Sequence, residues 1–414
     1  MKSFTINRVD ALDLRFPLQN GEGSDAVHTG AQYAFAVTRL QTAGGPSGHG
    51  LTLTLGAGNQ EVCSVIKSLG DLLTGLEIED LMADFGAVSR RLAENPALRW
   101  LGPHKGVVHL ALSSIVNACF DLWAKARGVP LWRLLLDLSP EQLVALLDLS
   151  YIDDELSPAE ALAILLEHAP SRSQREGILT SGYPGYDTSV GWFQYSEEQI
   201  RLKVAEALAS GFRAFKLKVG SNDHGRDLHR AALLREIAGS DSRLMFDANQ
   251  QWSLAQARWM GEALRPIDPY WIEEPTHPDD VEAHRLLAAE LAPIGLAIGE
   301  HVPNRVVFKN FMQARAVNFV QADCTRLAGV SEFLSVSLLA RKYGLPVVPH
   351  VGDMGQIHQH LVIFNHVALG HEALFLEHIP HMRDRFLHPA CVCGGVYRTP
   401  QEPGLSCEFK DAVI

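Results

Sequence analysis

In the second two-thirds of the chain, short apolar runs alternate with longer amphipathic segments. The runs are AFKLKVG (214–220), RLMFDAN (243–249), PYWIEEP (269–275), GLAIGEH (295–301), VNFVQAD (317–323), PVVPHV (346–351) and LFLEHI (374–379). LLDLSYI (146–152) is placed first in the series. Such runs predict buried parallel strands joined by crossover helices, an α/β pattern. Each run carries a polar residue at or near its end: Lys218, Asp247, Glu273, Glu300, Asp323, His350 and Glu377, separated by 29, 26, 27, 23, 27 and 27 residues. One strand plus one helix fits each interval. Eight parallel strands with polar ends predict a (β/α)8-type barrel, whose functional groups collect at the C-terminal rim. An open doubly wound sheet would instead place its ligand at one switch point, and it gives no reason for seven polar strand ends.

The first part of the chain reads as an α+β unit. Strands are expected near Thr5 to Leu14, Ala34 to Gln41 and Gly50 to Leu55. Helical periodicity follows over Val62 to Leu73, Leu81 to Leu92 and Lys105 to Lys125, with Gly128 and Pro130 ending the last helix. Between the run at 146–152 and the run at 214–220, a helix is expected over Pro158 to His168. The segment GYPGYDTSVGWFQYS (182–196) is read there as a loop over the barrel mouth or towards the first unit.

The composition narrows the function. With 36 Lys plus Arg against 48 Asp plus Glu in 414 residues, the formal charge is −12, and no basic block offers a phosphate-binding stripe. Nucleic acid is therefore not an expected partner. The uncharged runs at 40–60, 106–120 and 354–371 hold too many polar residues for a membrane span of about 20 apolar residues. The N-terminus alternates polar and apolar residues without a secretory core, and six sparse cysteines suit reduced thiols, so a cytoplasmic enzyme is expected. Glycines 56 and 58 lack the third glycine of a dinucleotide loop, and neither a GxSxG nor a P-loop occurs. The histidines at 358, 360, 366, 371, 378, 381 and 388, with Cys391 and Cys393, match no zinc spacing and are read as surface or capping residues.

The strand ends can carry chemistry together. Asp247, Glu273 and Glu300 on neighbouring strands can converge on one hard divalent cation, for which Mg²⁺ is the best match and zinc a poor one. Strand alternation lets only one of Glu273 and Glu274 face the axis. Lys216 and Lys218 share a face, and a cation beside them is expected to lower one ammonium pKa and free a general base. Asp323 can fix the tautomer of His350 on the next strand, giving a second acid/base, while Glu377 can bind a hydroxyl or pair with His378.

KLKVG, FDANQ, WIEEP, IGEH, QAD and PH, in that order and after DLWAKARGVPLW, resemble the enolase superfamily, in its mandelate racemase-like group. LRWLGPHKGVVH, SPEQLV, GYPGYDTSVGW, WIEEPTHPDD, GEHVPNRVVFK and LEHIPHMRDRFLHP are similar to stretches of the L-fuconate dehydratase branch. After His350, VGDMGQ replaces a more Gly-rich continuation. The resemblance implies an N-terminal α+β capping domain over 1–145, a barrel over 146–384 and a C-terminal segment, 385–414, packing back on the cap. It implies Mg²⁺ on Asp247, Glu273 and Glu300, Lys218 as base, and the Asp323 and His350 dyad opposite. Lys216, Asn249, Glu377, Asp25 and Tyr33 are implied around the substrate. The implied activity is Mg²⁺-dependent dehydration of a small acid sugar to a 2-keto-3-deoxy acid, in a homo-oligomer. A racemase or epimerase of a 2-hydroxy acid on the same site, or a non-catalytic metal-binding relative, stays open.

Overall fold

The computed structural model describes residues 4–30, 32–351, 355–372 and 375–413. The VGDMGQ stretch and the run starting at 374 therefore lie partly outside the described residues. Strands β1 (Ile6–Pro17), β2 (Gln32–Thr42) and β3 (Gly48–Thr54) form an antiparallel meander. The helix Gly106–Arg127 lies directly on β3. Glycine makes that approach possible, because a Cβ on Gly48 or Gly50 would stand 2.4 or 2.1 Å from the carbonyl oxygens of Ala118 and Ser114. By length and composition this helix is apolar enough to cross a membrane, yet 89% of its apolar window is buried inside the protein. Its polar residues explain the burial. Ser113 and Asn117 donate to the Cys324 carbonyl at 2.8 and 2.9 Å, and His109 meets Glu332 at 2.6 Å, so the helix ties the first unit to the second.

The second unit is a ring of parallel strands: β4 (Tyr183–Asp187), β5 (Ala214–Lys218), β6 (Arg243–Asp247), β7 (Pro269–Glu273), β8 (Gly295–Ile298) and β9 (Phe319–Val320). Val347 bridges Val320 in the seventh position, and β10 (Leu376–His378) pairs parallel with the other edge of β4 in the eighth. Crossover helices start where short polar side chains cap their free N–H groups: Ser196 and Ser253 each form a reciprocal capping pair with a Gln three residues on. Strand alternation then stacks the barrel interior in layers. Ala214, Met245, Trp271, Ala297, Val348 and Phe375 form a buried apolar floor, and the residues two further along these strands face the mouth.

Several expectations are corrected. Residues 146–152 form turns, not a strand: Leu146, Leu149 and Ile152 are buried three apart, and Asp148 is drawn off to Arg90 and Arg305. The first barrel strand is β4, inside the segment read as a loop. Its Gly185 lies where a Cβ would come within 3.0 and 3.1 Å of the Tyr397 and Phe212 rings. The helix expected over 81–92 breaks at Asp84 into Ile78–Ala83 and Phe85–Ala93. The C-terminal segment divides its contacts: Val396 and Tyr397 pair with β4, whereas Phe409 packs on Phe16 and Phe35 of the meander. Three of the histidines read as surface or capping residues, His358, His360 and His371, are buried in and just after the helix Ile357–Leu369.

Burial holds the pKa of His371 down to about 4 and that of His360 down to about 3. In the unfolded chain each ring takes a proton near 6.5 that the folded core refuses. Their stabilising effect is therefore complete above pH 6.5 and is lost as pH falls towards 4, by up to about 3 kcal/mol for His371. His371→Gln keeps an N–H for the Ser337 carbonyl, which His371 Nε2 contacts at 2.9 Å. Urea unfolding of this variant is expected to lose less stability between pH 6.5 and 4 than the parent; equal losses would contradict the assignment.

Candidate active site

The mouth-facing layers bring distant residues together. Lys216 Nζ lies 2.7 Å from Glu273, 2.8 Å from Glu377 and 3.7 Å from Asp247. Lys218 Nζ lies 2.5 Å from Asp247 Oδ2. Glu273 also accepts from the Trp271 indole at 3.2 Å and the Gln321 amide at 2.8 Å. On the far side, His350 Nδ1 meets Asp323 Oδ2 at 2.8 Å, and its Nε2 stands 3.2 Å from Glu300 Oε2. Asp247, Glu273 and Glu300 each offer a ligand oxygen, all within 4.8 Å of one another. Lys218 thus touches the Asp247 end of this group and His350 the Glu300 end.

The charges do not balance internally. Asp247, Glu273, Glu300, Glu377 and Asp323 oppose two ammonium groups and one imidazolium, leaving an excess of two negative charges when all are ionised. Burial, and the neighbours Asp247 and Glu377, push Glu273 up to about 7 against the pull of Lys216. His350 is also displaced: burial disfavours its charge, but Glu300 and the bond to Asp323 raise it to about 9. Lys218 departs from expectation. Burial pulls its pKa down, yet Asp247 outweighs burial and holds the ammonium above its ordinary range, because the uncompensated carboxylates stabilise the proton. Among the described residues, Asn249 Oδ1 is buried without a hydrogen-bond partner, and Glu300 Oε2 has only its ion pair with His350 Nε2 at 3.2 Å. All-oxygen donors, excess negative charge and the unpaired Asn249 oxygen together fit a hard divalent cation.

Backbone geometry supports the cluster. Asn249, Gln250, Glu274 and Val351 have φ of 45°, 61°, 42° and 51° at the strand ends. The turn at Val351 directs its N–H to Glu377 Oε2 at 2.7 Å. Glu273 faces inward, whereas Glu274 takes the His301 backbone N–H at 3.0 Å, meets the His301 ring at 3.0 Å, and accepts from Gln250.

The remaining expected residues are placed as follows. Asn249 donates its backbone N–H to Asp247 Oδ1 at 2.9 Å. Glu377 holds Lys216 and Thr188 through Oε1 and the Val351 N–H through Oε2, so it bridges the lysine to the His350 turn. Asp25 lies with Glu300 and Asn249 on a cavity of about 400 Å³ between the first unit and the barrel mouth. Its oxygens are taken by the Val27 and His28 backbone and the His28 ring. Tyr33 is buried on β2 and does not line this cavity; a Cβ on Gly23 would stand 3.1 Å from its ring. Sequence reasoning missed His301 and Arg326, which also line the cavity, and Thr188 and His358. His301 had a signal in its adjacency to Glu300; the others had none.

Residues 199–413 match the family model described as Enolase C-terminal domain-like. The whole chain aligns as well: it is 41% identical over 419 residues to the L-galactonate dehydratase of Hypocrea jecorina, covering 99% of this chain and 93% of that protein. The chain belongs to the enolase superfamily. The crystal structure of human Mitochondrial enolase superfamily member 1 superposes with a TM-score of 0.97 at 39% identity, covering 100% of this chain and 96% of that one. The L-talarate/galactarate dehydratase of Salmonella typhimurium LT2, liganded with Mg and L-lyxarohydroxamate, superposes with a TM-score of 0.79 at 25% identity, over 99% of this chain and 92% of that one.

Cation binding is expected to raise the melting temperature and to release a proton near neutral pH, because it displaces the proton that Glu273 holds up to about pH 7. Mg²⁺ affinity measured by calorimetry should therefore rise between pH 6 and 8. Asp247→Asn and Glu300→Gln should each abolish the shift. A melting temperature indifferent to Mg²⁺ would count against the site.

Proposed function

We propose that this superfamily member is a Mg²⁺-dependent acid-sugar dehydratase, a hydro-lyase that converts a 2,3-dihydroxy acid to a 2-keto-3-deoxy acid. The observation that carries this reading is the placing of two proton-transfer groups, Lys218 and His350, at opposite ends of the three-carboxylate group. Asp247, Glu273 and Glu300 would hold Mg²⁺. When bound, the ion supplies a Lewis-acid contact that acidifies the proton next to a carboxylate and offsets the surrounding negative field. The sequence relatives named as dehydratases support the same reading.

With the field that keeps it protonated offset by a cation on the three carboxylates, Lys218 acts as a neutral amine: its Nζ takes the α proton, and the electron pair of the broken C–H bond forms the new C=C bond. The 3-hydroxyl leaves with the proton from His350 Nε2 as water, and the resulting enol tautomerises to the keto acid. Asp323 on Nδ1 fixes which nitrogen does this and stabilises the imidazolium that gives up the proton. Lys216 lies between Glu273 and Glu377, shares its one charge with both and orients them.

The substrate we infer is a monoacid with the L-galactonate configuration, either L-galactonate or its 6-deoxy counterpart L-fuconate. These differ only at C6. Supporting this, the cavity wall towards the first unit is apolar at Val27, Leu55, Val62, Val107 and Leu110. Its histidines, His28 and His301, are already paired with Asp25 and Glu274, and Arg326 donates Nε to the Glu300 carbonyl at 2.8 Å, so the apolar wall is the feature that favours an uncharged distal end.

With Mg²⁺, keto-acid formation is expected from L-fuconate or L-galactonate in preference to galactarate. Lys218→Ala and His350→Asn should each lower it by about 10²–10⁴-fold. Only the His350 variant should still exchange the α proton with D₂O. Exchange without any keto acid in the unaltered protein would instead favour the racemase or epimerase reading.

A further inference from the structure

Asp323 is held from two sides, and only one of them faces the carboxylate cluster. Oδ2 receives His350 at 2.8 Å. Oδ1 accepts the Thr325 backbone N–H and hydroxyl, each at 2.7 Å, and lies 3.0 Å from His358 Nε2. His358 stands in the first turn of the helix Ile357–Leu369, fully buried, and its Nδ1 has no hydrogen-bond partner among the described residues. These contacts locate the proton of the ring. A proton on Nδ1 would strand a buried donor and set the Nε2 lone pair against a carboxylate oxygen. A proton on Nε2 satisfies Asp323 and leaves the Nδ1 acceptor and the Cys324 backbone N–H unpaired. The Cys324 backbone N–H points at the same nitrogen from 3.1 Å, but a bond to a charged acceptor is the stronger of the two.

Asp323, Cys324 and His358 have the donor types of a soft-metal site. The ring nitrogen, however, sits at hydrogen-bonding distance from both partners, 3.0 Å from Asp323 and 3.3 Å from the Cys324 sulfur. Burial also drives that thiol well above its ordinary range, away from the thiolate a metal requires. Hydrogen bonding is the arrangement built here.

We propose that His358 is a positioning residue for the elimination step: its Nε2–H anchors the far oxygen of Asp323, so that the near oxygen holds His350 with Nε2 turned towards the departing hydroxyl. This rests on the roles given above to Lys218 and His350. Lys218 is held by Asp247 and makes no direct contact with Asp323 among the described residues. The influence of His358 therefore falls on one of the two proton transfers, which separates positioning from general support of the fold.

Two variants and one spectrum test it. In His358→Leu, kcat for keto-acid formation is expected to fall about 10-fold or more with KM within about twofold. Exchange of the α proton with D₂O, the Lys218 step, should persist, so the ratio of exchange to product rises. His358→Gln can place an amide N–H near the same oxygen and should recover most of the loss. Unchanged kcat in the Leu variant overturns the proposal. So does equal loss of exchange and elimination with no recovery in the Gln variant. Should His358→Leu not fold, ¹⁵N-histidine spectra of the unaltered protein decide, with the His358 signals assigned by their disappearance in His358→Gln. A ring protonated on Nε2 and bare on Nδ1 is expected, and the reverse tautomer overturns the proposal. An unaltered protein that neither exchanges the α proton nor makes keto acid would count against the dehydratase reading, and the spectrum would still decide the His358 assignment.

Discussion

The rest of the site depends on a crowd of buried carboxylates that the chain neutralises only in part. Packing Asp247, Glu273, Glu300 and Glu377 into one barrel mouth costs free energy that Lys216 and Lys218 offset without cancelling. Each feature of the site follows from that imbalance. Glu273 retains affinity for a proton near neutral pH, Lys218 keeps its proton more tightly than a free lysine, and His350 is drawn to the charged form. An arrangement tuned to a missing positive charge is poised for a dication, and the same dication would release Lys218 from the field that keeps it protonated.

The barrel supplies this arrangement through its periodicity. Because strand side chains alternate, Lys216 and Lys218 rise above Ala214, Asp247 above Met245, Glu273 above Trp271 and Glu377 above Phe375, so an apolar floor carries a polar mouth. The floor excludes water beneath the charges, which strengthens every ion pair above it. The first unit closes the other side. Its helix Gly106–Arg127 holds the Cys324 carbonyl through Ser113 and Asn117, one residue from Asp323, and its loop carries Asp25 to the cavity. Capping unit and barrel thus share the residues that hold the dyad.

Much of this was legible along the chain. An interval of 23 to 29 residues between polar strand ends marks a repeating strand and helix, and alternation tells that the two lysines of KLK share a face while Glu273 and Glu274 do not. The first barrel strand was harder to see. Tyr183–Asp187 contains Pro and Gly, which read locally as a loop, and only its neighbours β5, β10 and Tyr397 make it a strand. Conversely, 146–152 has the composition of a strand, but Asp148 finds two arginines from elsewhere and the segment turns. The histidines at 358, 360 and 371 look scattered in sequence, and they are buried because their helix lies against the barrel.

By itself the sequence determined the kinds of groups available, their order around the ring and the face each strand presents, since these follow from local periodicity. The tertiary structure alone decided which carboxylate pairs with which lysine, that Glu377 serves the protein's own residues, that Tyr33 stays off the cavity, and that a second histidine stands behind Asp323. Those outcomes are set by distances of a few ångströms between residues far apart in the chain. The proton affinities follow from the same contacts, because a pKa is fixed by burial and by the charges that surround a group in space.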